Sequence, residues 1–168
     1  MQQLMLLRHA KAVPWSPRTE DFPRKLNHAG TRHAHNVAAW ICTHLQPPQI
    51  ILCSPSQRTR ETLAPLLSLQ PELESVTHFI PHIYHATSST LETLLDSAFA
   101  EADRVLIIGH NPAFERLAAD NLHSRHYDEF TRLPTGTLAV VDFNPDWASG
   151  RCGGTLRHFI RGKHLSAN

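Results

Sequence analysis

The sequence predicts a three-layer α/β/α fold around a mostly parallel sheet. Three observations carry that expectation. Short apolar runs stand at residues 4–7, 50–53 and 105–108, with no polar alternation, as strands buried on both faces require. Segments with helical spacing separate them. Two further strand-like stretches, 137–143 and 155–160, are separated by a Pro/Gly/Asp turn region. The resulting order, β-α-β-α-(β)-α-β-α-β-β, is that of an α/β domain.

Each element has a local reason. Leu4-Met5-Leu6-Leu7 opens the sheet. Residues 10–25 hold Pro14, Pro17 and Pro23 among scattered polar groups and read as a loop. From Asn27 to Leu45 the apolar positions Ala34, Val37, Ala38, Ile41 and Leu45 recur at helical spacing, with Asn27 as N-cap and Pro47-Pro48 as the stop. Ile50-Ile51-Leu52-Cys53 forms the second strand. Ser54-Pro55 reads as cap and first helical residue of the next helix, which Pro65 is expected to kink or end. A short strand is expected within 76–85. Ser89 to Ala100 is a third helix, with Ser89 and Glu92 at capping-box spacing. Val105 to Ile108 is the clearest strand, and Asn111-Pro112 opens a helix running to about Leu122.

Composition narrows the function classes. With 168 residues, a single domain over 1–168 is expected. At 41% hydrophobic and 18% charged, the chain can build a core. The formal net charge is +1, so no global basic excess points to nucleic acid or an anionic membrane. No apolar run approaches the roughly 20 residues of a membrane span. The N-terminus lacks a charged n-region and meets Arg8 too early for a signal peptide. Cys42, Cys53 and Cys152 show no CxxC spacing and read as reduced thiols. The expectation is a cytoplasmic monomer.

In such sheets the ligand sits beyond the carboxyl ends of the strands. Three segments meet that condition. Arg8-His9 follows the first strand, Ser54 to Arg58 the second, and His110 the strand at 105–108. Together they gather two guanidiniums and two imidazoles. Guanidinium forks suit phosphate oxygens. A neutral imidazole is a competent nucleophile toward phosphorus. A second histidine can donate to the transferring phosphoryl group, and the helix after Pro112 aims its positive end at the same edge. There is no Gly-rich P-loop and no acidic metal cluster, so neither metal nor cofactor is expected. Taken one at a time, these segments have plainer readings: a solvated Arg-His pair, a capping His110, a helix-starting Ser54. Their coincidence at strand ends is what singles them out.

The same residues resemble a known family. Leu7-Arg8-His9-Ala10 resembles the opening motif of the histidine phosphatase superfamily, the phosphoglycerate mutase-like enzymes. Ser54-Pro55-Ser56-Gln57-Arg58 with Thr62 resembles its second motif, and Gly109-His110-Asn111-Pro112 its third. Asp21-Phe22-Pro23-Arg24-Lys25-Leu26 with Gly30 resembles the segment between first strand and first helix, and Leu133-Pro134-Thr135-Gly136 also fits. The resemblance implies a phosphoglycerate mutase-like fold, phosphorylation of His9, phosphoryl binding by Arg8 and Arg58, completion of the pocket by His110, and a further phosphate contact from Arg24. Ala10 stands where the family usually has glycine, a departure found in the short branch that resembles the SixA-type phosphohistidine phosphatases.

A second departure concerns the acid. Larger members carry an acidic residue after the third strand region, whereas this chain reads Ile80-Pro81-His82-Ile83-Tyr84-His85. Either His82 or His85 supplies the proton, or the leaving group needs little help. Imidazole, with a conjugate-acid pKa of about 6.5, leaves far more readily than an alkoxide. The implied activity is therefore hydrolysis of phosphohistidine in a protein partner. The alternatives are a broad-specificity phosphomonoesterase on the same fold and a non-catalytic phosphate-binding protein. Of the thirteen histidines, His28, His33 and His35 do not share one helix face, and His78, His82 and His85 have a superficial zinc-site look. His123, His126, His158 and His164 have no motif context.

Overall fold

The computed structural model describes residues 1–122, 132–144, 146–148 and 153–166. Cys152, His123 and His126 lie outside the described residues. Along the chain run β1 (Gln2–Arg8), α1 (His28–His44), β2 (Ile50–Cys53), α2 (Gln57–Leu69), β3 (Thr77–Phe79), α3 (Ser88–Glu101), β4 (Arg104–Gly109), α4 (Ala113–Asn121), β5 (Thr137–Phe143) and β6 (Thr155–Arg161). The sheet order is β3-β2-β4-β1-β5-β6. The pairs β2·β3, β2·β4 and β1·β4 are parallel. β5 pairs antiparallel with both β1 and β6. The mostly parallel α/β/α architecture expected from the apolar runs is the one observed.

The unbroken apolar runs follow from double-sided burial. Leu4 and Leu6 of β1 face a core with Leu91, Leu95, Phe114 and Leu117 of α3 and α4. Met5 and Leu7 face the opposite core, with Val37, Ile41, Leu63 and Leu66 of α1 and α2. Every second residue thus meets a helix layer, and neither face tolerates a polar side chain.

Three local expectations need correction. The second helix begins at Gln57, not at Ser54-Pro55, and Ser56 is its N-cap. Ser54 instead prolongs the ladder, its N–H donating to the Ile108 carbonyl at 3.0 Å, and its extended backbone carries the hydroxyl to the sheet edge. Of the two outcomes expected at Pro65, a kink or an end, the end does not occur, since α2 continues to Leu69. Proline inside a helix costs about 3 kcal/mol. Leu63 and Leu66, almost wholly buried on either side of it, each contribute about 1.5–3 kcal/mol, so packing wins. The third helix is capped by Thr87, whose hydroxyl accepts from Thr90 N–H, so Ser89 already lies inside it and no capping box with Glu92 starts it.

Asn27 caps α1 as expected, accepting from Gly30 N–H at 2.8 Å. Gly30 is needed for a different reason. A Cβ there would lie 2.0 Å from the Lys11 carbonyl oxygen and 2.8 Å from its carbon. Lys11 belongs to the segment leaving β1, and its carbonyl also accepts from Asn27 N–H. Backbone cannot swing away as a side chain can. Gly30→Ala is expected to cost about 1–3 kcal/mol, read as a lowered midpoint in thermal unfolding. An unchanged midpoint would mean that the α1 start yields freely.

Candidate active site

Three neighbouring strands deliver the predicted residues to one edge. His9 N–H donates to the Gly109 carbonyl at 3.1 Å, which keeps the β1 and β4 exits side by side. Thr62 on α2 binds the β1 exit as well, its hydroxyl accepting from Ala10 N–H at 2.9 Å and donating to the Arg58 carbonyl at 2.7 Å. Ala10 is fully buried, in a small cluster with Leu26 and Ala34. A methyl group is accommodated where the family pattern has glycine.

His9 is buried, with 7% of its surface exposed. Its Nδ1 lies 2.7 Å from the Ala10 carbonyl oxygen. A carbonyl only accepts, so the proton sits on Nδ1 and Nε2 keeps its lone pair. The His110 ring lies 5.2 Å from that of His9, centroid to centroid. Arg58 Nη2 stands 3.4 Å from His110 Nδ1, and His110 Nε2 stands 2.8 Å from Ser54 Oγ. A guanidinium only donates, so His110 takes its proton on Nε2 and gives it to Ser54.

Burial, then the charges of Arg58, Arg8 and Arg24, bring the His9 imidazole down to about 4, against the raising effect of its bond to Ala10. Burial, then His9 and Arg58, bring His110 to about 3. Both rings are neutral at physiological pH.

Arg8 Nη1 donates to the Leu133 carbonyl at 2.8 Å, beside Asn111 Nδ2, which reaches the same oxygen at 3.0 Å. Arg58, only 5% exposed, gives Nη1 to the Asp21 carbonyl and Nη2 to Asp21 Oδ2, both at 2.9 Å. Among the described residues the Nε–H groups of Arg8 and Arg58 are buried without a partner, a costly state unless an acceptor reaches them. Arg24 joins the set through Asp21 Oδ1, at 2.8 Å from Nη2. The structure therefore brings Arg8, His9, Arg24, Arg58 and His110 together, an arrangement of guanidiniums around a neutral imidazole that suits an oxyanion.

The branch 1 sequence pattern of the histidine phosphatase superfamily matches residues 4–79. SixA from Agrobacterium tumefaciens, a candidate phosphohistidine phosphatase of known structure, is 29% identical, with a TM-score of 0.81 over 95% of this chain and 97% of that one. Both likenesses are to the histidine phosphatase superfamily, which this chain resembles in sequence over that segment and in fold throughout. A more distant likeness of fold is to a candidate α-ribazole-5′-phosphate phosphatase from Escherichia coli, 16% identical, with a TM-score of 0.69 over 99% and 100% of the two chains. An uncharacterized protein of Mycobacterium leprae is 25% identical over 149 residues, 84% of this chain and 89% of its own.

Two polar residues belong to this site that motif reading left without a role. Asp21 receives Arg58, Arg24 and the Tyr84 hydroxyl on one carboxylate. Burial alone would raise its pKa. The hydrogen bonds from Tyr84 and Arg58, and the charge of Arg58, overcome that and hold it at about 2. The only sequence signal was its place three residues before Arg24. Ser54, read as a cap, is a partner of His110. Of the two histidines considered as acids, His85 lines the same cavity of about 210 Å³ as His110, and His82 does not. Among the described residues no three His, Cys, Asp or Glu side chains converge as a metal site, so the spacing of His78, His82 and His85 does not translate into one. Among the described residues no helix is long and apolar enough to cross a membrane.

Proposed function

We propose that this chain hydrolyses phosphohistidine in a protein partner, through a covalent phosphoryl intermediate on His9 and without a metal ion. The observation that carries the reading is the state of His9: buried, neutral, its proton held on Nδ1 by Ala10, its Nε2 lone pair left free by that tautomer, and the ring within the field of Arg58, Arg8 and Arg24. Nε2 attacks phosphorus, and the phosphorus–nitrogen bond of the substrate breaks. Water then attacks the same phosphorus, the bond to His9 breaks, and inorganic phosphate leaves. Arg8 and Arg58 neutralise the equatorial oxygens, Arg24 adds charge at the mouth, and His110 with Ser54 completes the wall.

The substrate class rests on the absence, among the described residues of the site, of a carboxyl group that keeps its proton. Asp21 is the carboxylate at the mouth and it is held ionised, so it has no proton to give. A site without a strong acid favours a leaving group that needs none. The likeness to the SixA protein points the same way. The rival is small-molecule ester hydrolysis, as the name of the α-ribazole-phosphate relative suggests. The test is a panel of phosphohistidine peptide, phosphoserine peptide and sugar phosphates. kcat/KM for the phosphohistidine peptide is expected to exceed the ester values by about a hundredfold, the usual worth of a general acid. Equal rates would overturn the assignment of substrate.

The pH profile follows. The nucleophile works while His9 is neutral, so kcat is expected to stay level on acidification until it falls through about pH 4. A fall centred near 6.5, where a free imidazole titrates, would contradict a desolvated His9. Folding stability shares the sign. Between about pH 6.5 and 4 the unfolded chain takes up a proton at His9 that the folded chain refuses, so stability declines as pH drops through that window.

A further inference from the structure

We propose that a basic cavity beside His9 docks an acidic segment of the protein that carries the phosphohistidine. The partner's identity as a phosphohistidine protein rests on the function proposed above, whereas the docking rests on placement. The cavity, of about 290 Å³, is lined by Lys11, His33, Thr135, Arg161 and Lys163 among others. A second of about 410 Å³ continues from it through the shared His33 and Lys163 and adds Arg32. Among the described residues no aspartate or glutamate lines either one. Among the described residues none of the lining lysines and arginines is paired with a carboxylate. The whole chain carries 16 Lys and Arg against 15 Asp and Glu, so the near-zero net charge conceals a local segregation.

This basic wall is tied to the nucleophile through the backbone. Lys11 lies two residues beyond His9. Gly136 N–H donates to the His9 carbonyl and Gly162 N–H to the Gly136 carbonyl, both at 2.9 Å. Thr135 and Lys163, each next to one of these glycines, therefore hold fixed positions relative to His9. The chain turns at Gly136 with φ of 67°, where a Cβ would stand 3.5 Å from His33 and 3.6 Å from Ala10. His33 sits within this field. Burial, then Arg32, Lys11 and Lys163, keep its imidazole below the ordinary value, so cations dominate the electrostatics there.

Rim charges of this kind select partners and speed encounter more than they add affinity. An acidic peptide is the occupant that fits. A nucleic acid would call for more phosphate contacts than these few cations offer and for aromatic stacking platforms, and among the described residues no aromatic residue other than His33, His28 and His35 lines the two cavities.

The test uses the full chain, its Arg161→Glu/Lys163→Glu variant and, should that fold poorly, the exposed Lys163→Glu alone. None of these residues belongs to the phosphoryl pocket. The probe is a fluorescently labelled peptide rich in Asp and Glu around an unphosphorylated histidine, followed by anisotropy at low and high salt. The wild type is expected to bind it about tenfold more tightly than the double variant, with the difference gone at about 1 M salt, where the Debye length is about 3 Å. Equal binding by wild type and variants overturns the docking proposal, as does equal or tighter binding of a single-stranded oligonucleotide. With phosphohistidine in the peptide, turnover reports separately. Docking without hydrolysis would refute the proposed activity and leave the docking surface standing. Hydrolysis of acidic and neutral phosphohistidine peptides at equal kcat/KM would do the reverse.

Discussion

Replacing His9 with alanine is expected to abolish turnover, by about a thousandfold or more, the scale seen when a covalent nucleophile is removed. His110 lies 5.2 Å away but spends its Nε2 proton on Ser54 and faces Arg58 with Nδ1, so it cannot replace His9 without rearranging. Rapid quenching of wild-type protein with labelled phosphohistidine peptide is expected to leave acid-labile, base-stable phosphate on the chain. His9→Ala should leave none. The fold should survive, because the His9 ring makes one hydrogen bond among the described residues, to the adjacent Ala10 carbonyl, and its backbone still pairs with Gly109 and Gly136. Circular dichroism and a melting curve check that. Label retained by a folded His9→Ala protein would show that the phosphoryl group travels by another residue.

Where the sequence was informative and where it was silent has a physical pattern. Buried strands leave a strong trace, since both faces exclude polar side chains over four residues or more, and 4–7, 50–53 and 105–108 all fall inside observed strands. Chemistry at strand ends inherits that clarity. His9, His110 and Ser54 are placed by the ladder itself. Asp21 is different. It lies in an irregular segment with no periodicity, and its role arises from Arg58, 37 residues later, and Tyr84, 63 residues later. Nothing local encodes such contacts. The start of α1 is legible to the residue, because its cap bonds its own first turn at Asn27. The cap of α3 lies two residues before the expected one, where the hydroxyls of Thr87, Ser88 and Ser89 compete. The basic cavity is also non-local, assembled from Lys11, His33, Arg161 and Lys163, so total charge could not reveal it.

Arg58→Ala is expected to lower kcat/KM by about 100–1000-fold, the usual cost of one preorganised donor at a developing oxyanion. Arg58 is nearly buried, and its unpartnered Nε–H gives it a donor to spare. Both Nη atoms are occupied by Asp21, so a phosphoryl group has to share this guanidinium with a carboxylate. Two consequences separate electrostatics from simple scaffolding. Lysine should not rescue position 58, because one ammonium cannot span the Asp21 carbonyl, its carboxylate and the phosphoryl oxygens together. Asp21→Asn should act in the opposite direction on anion binding. It removes a negative charge from the mouth while Arg24 stays in place, and inorganic phosphate should inhibit it at roughly tenfold lower concentration. In an Arg58→Ala background the same Asp21→Asn change should gain much less, since the competition between carboxylate and phosphate for that guanidinium has gone. Inhibition by phosphate, measured across the four proteins of this cycle, reads the coupling directly. If Asp21→Asn weakens phosphate inhibition instead, Asp21 holds Arg58 in place for the substrate and does not compete with it. If Arg58→Ala stays within threefold of wild type, Arg8 and Arg24 carry the phosphoryl charge without it.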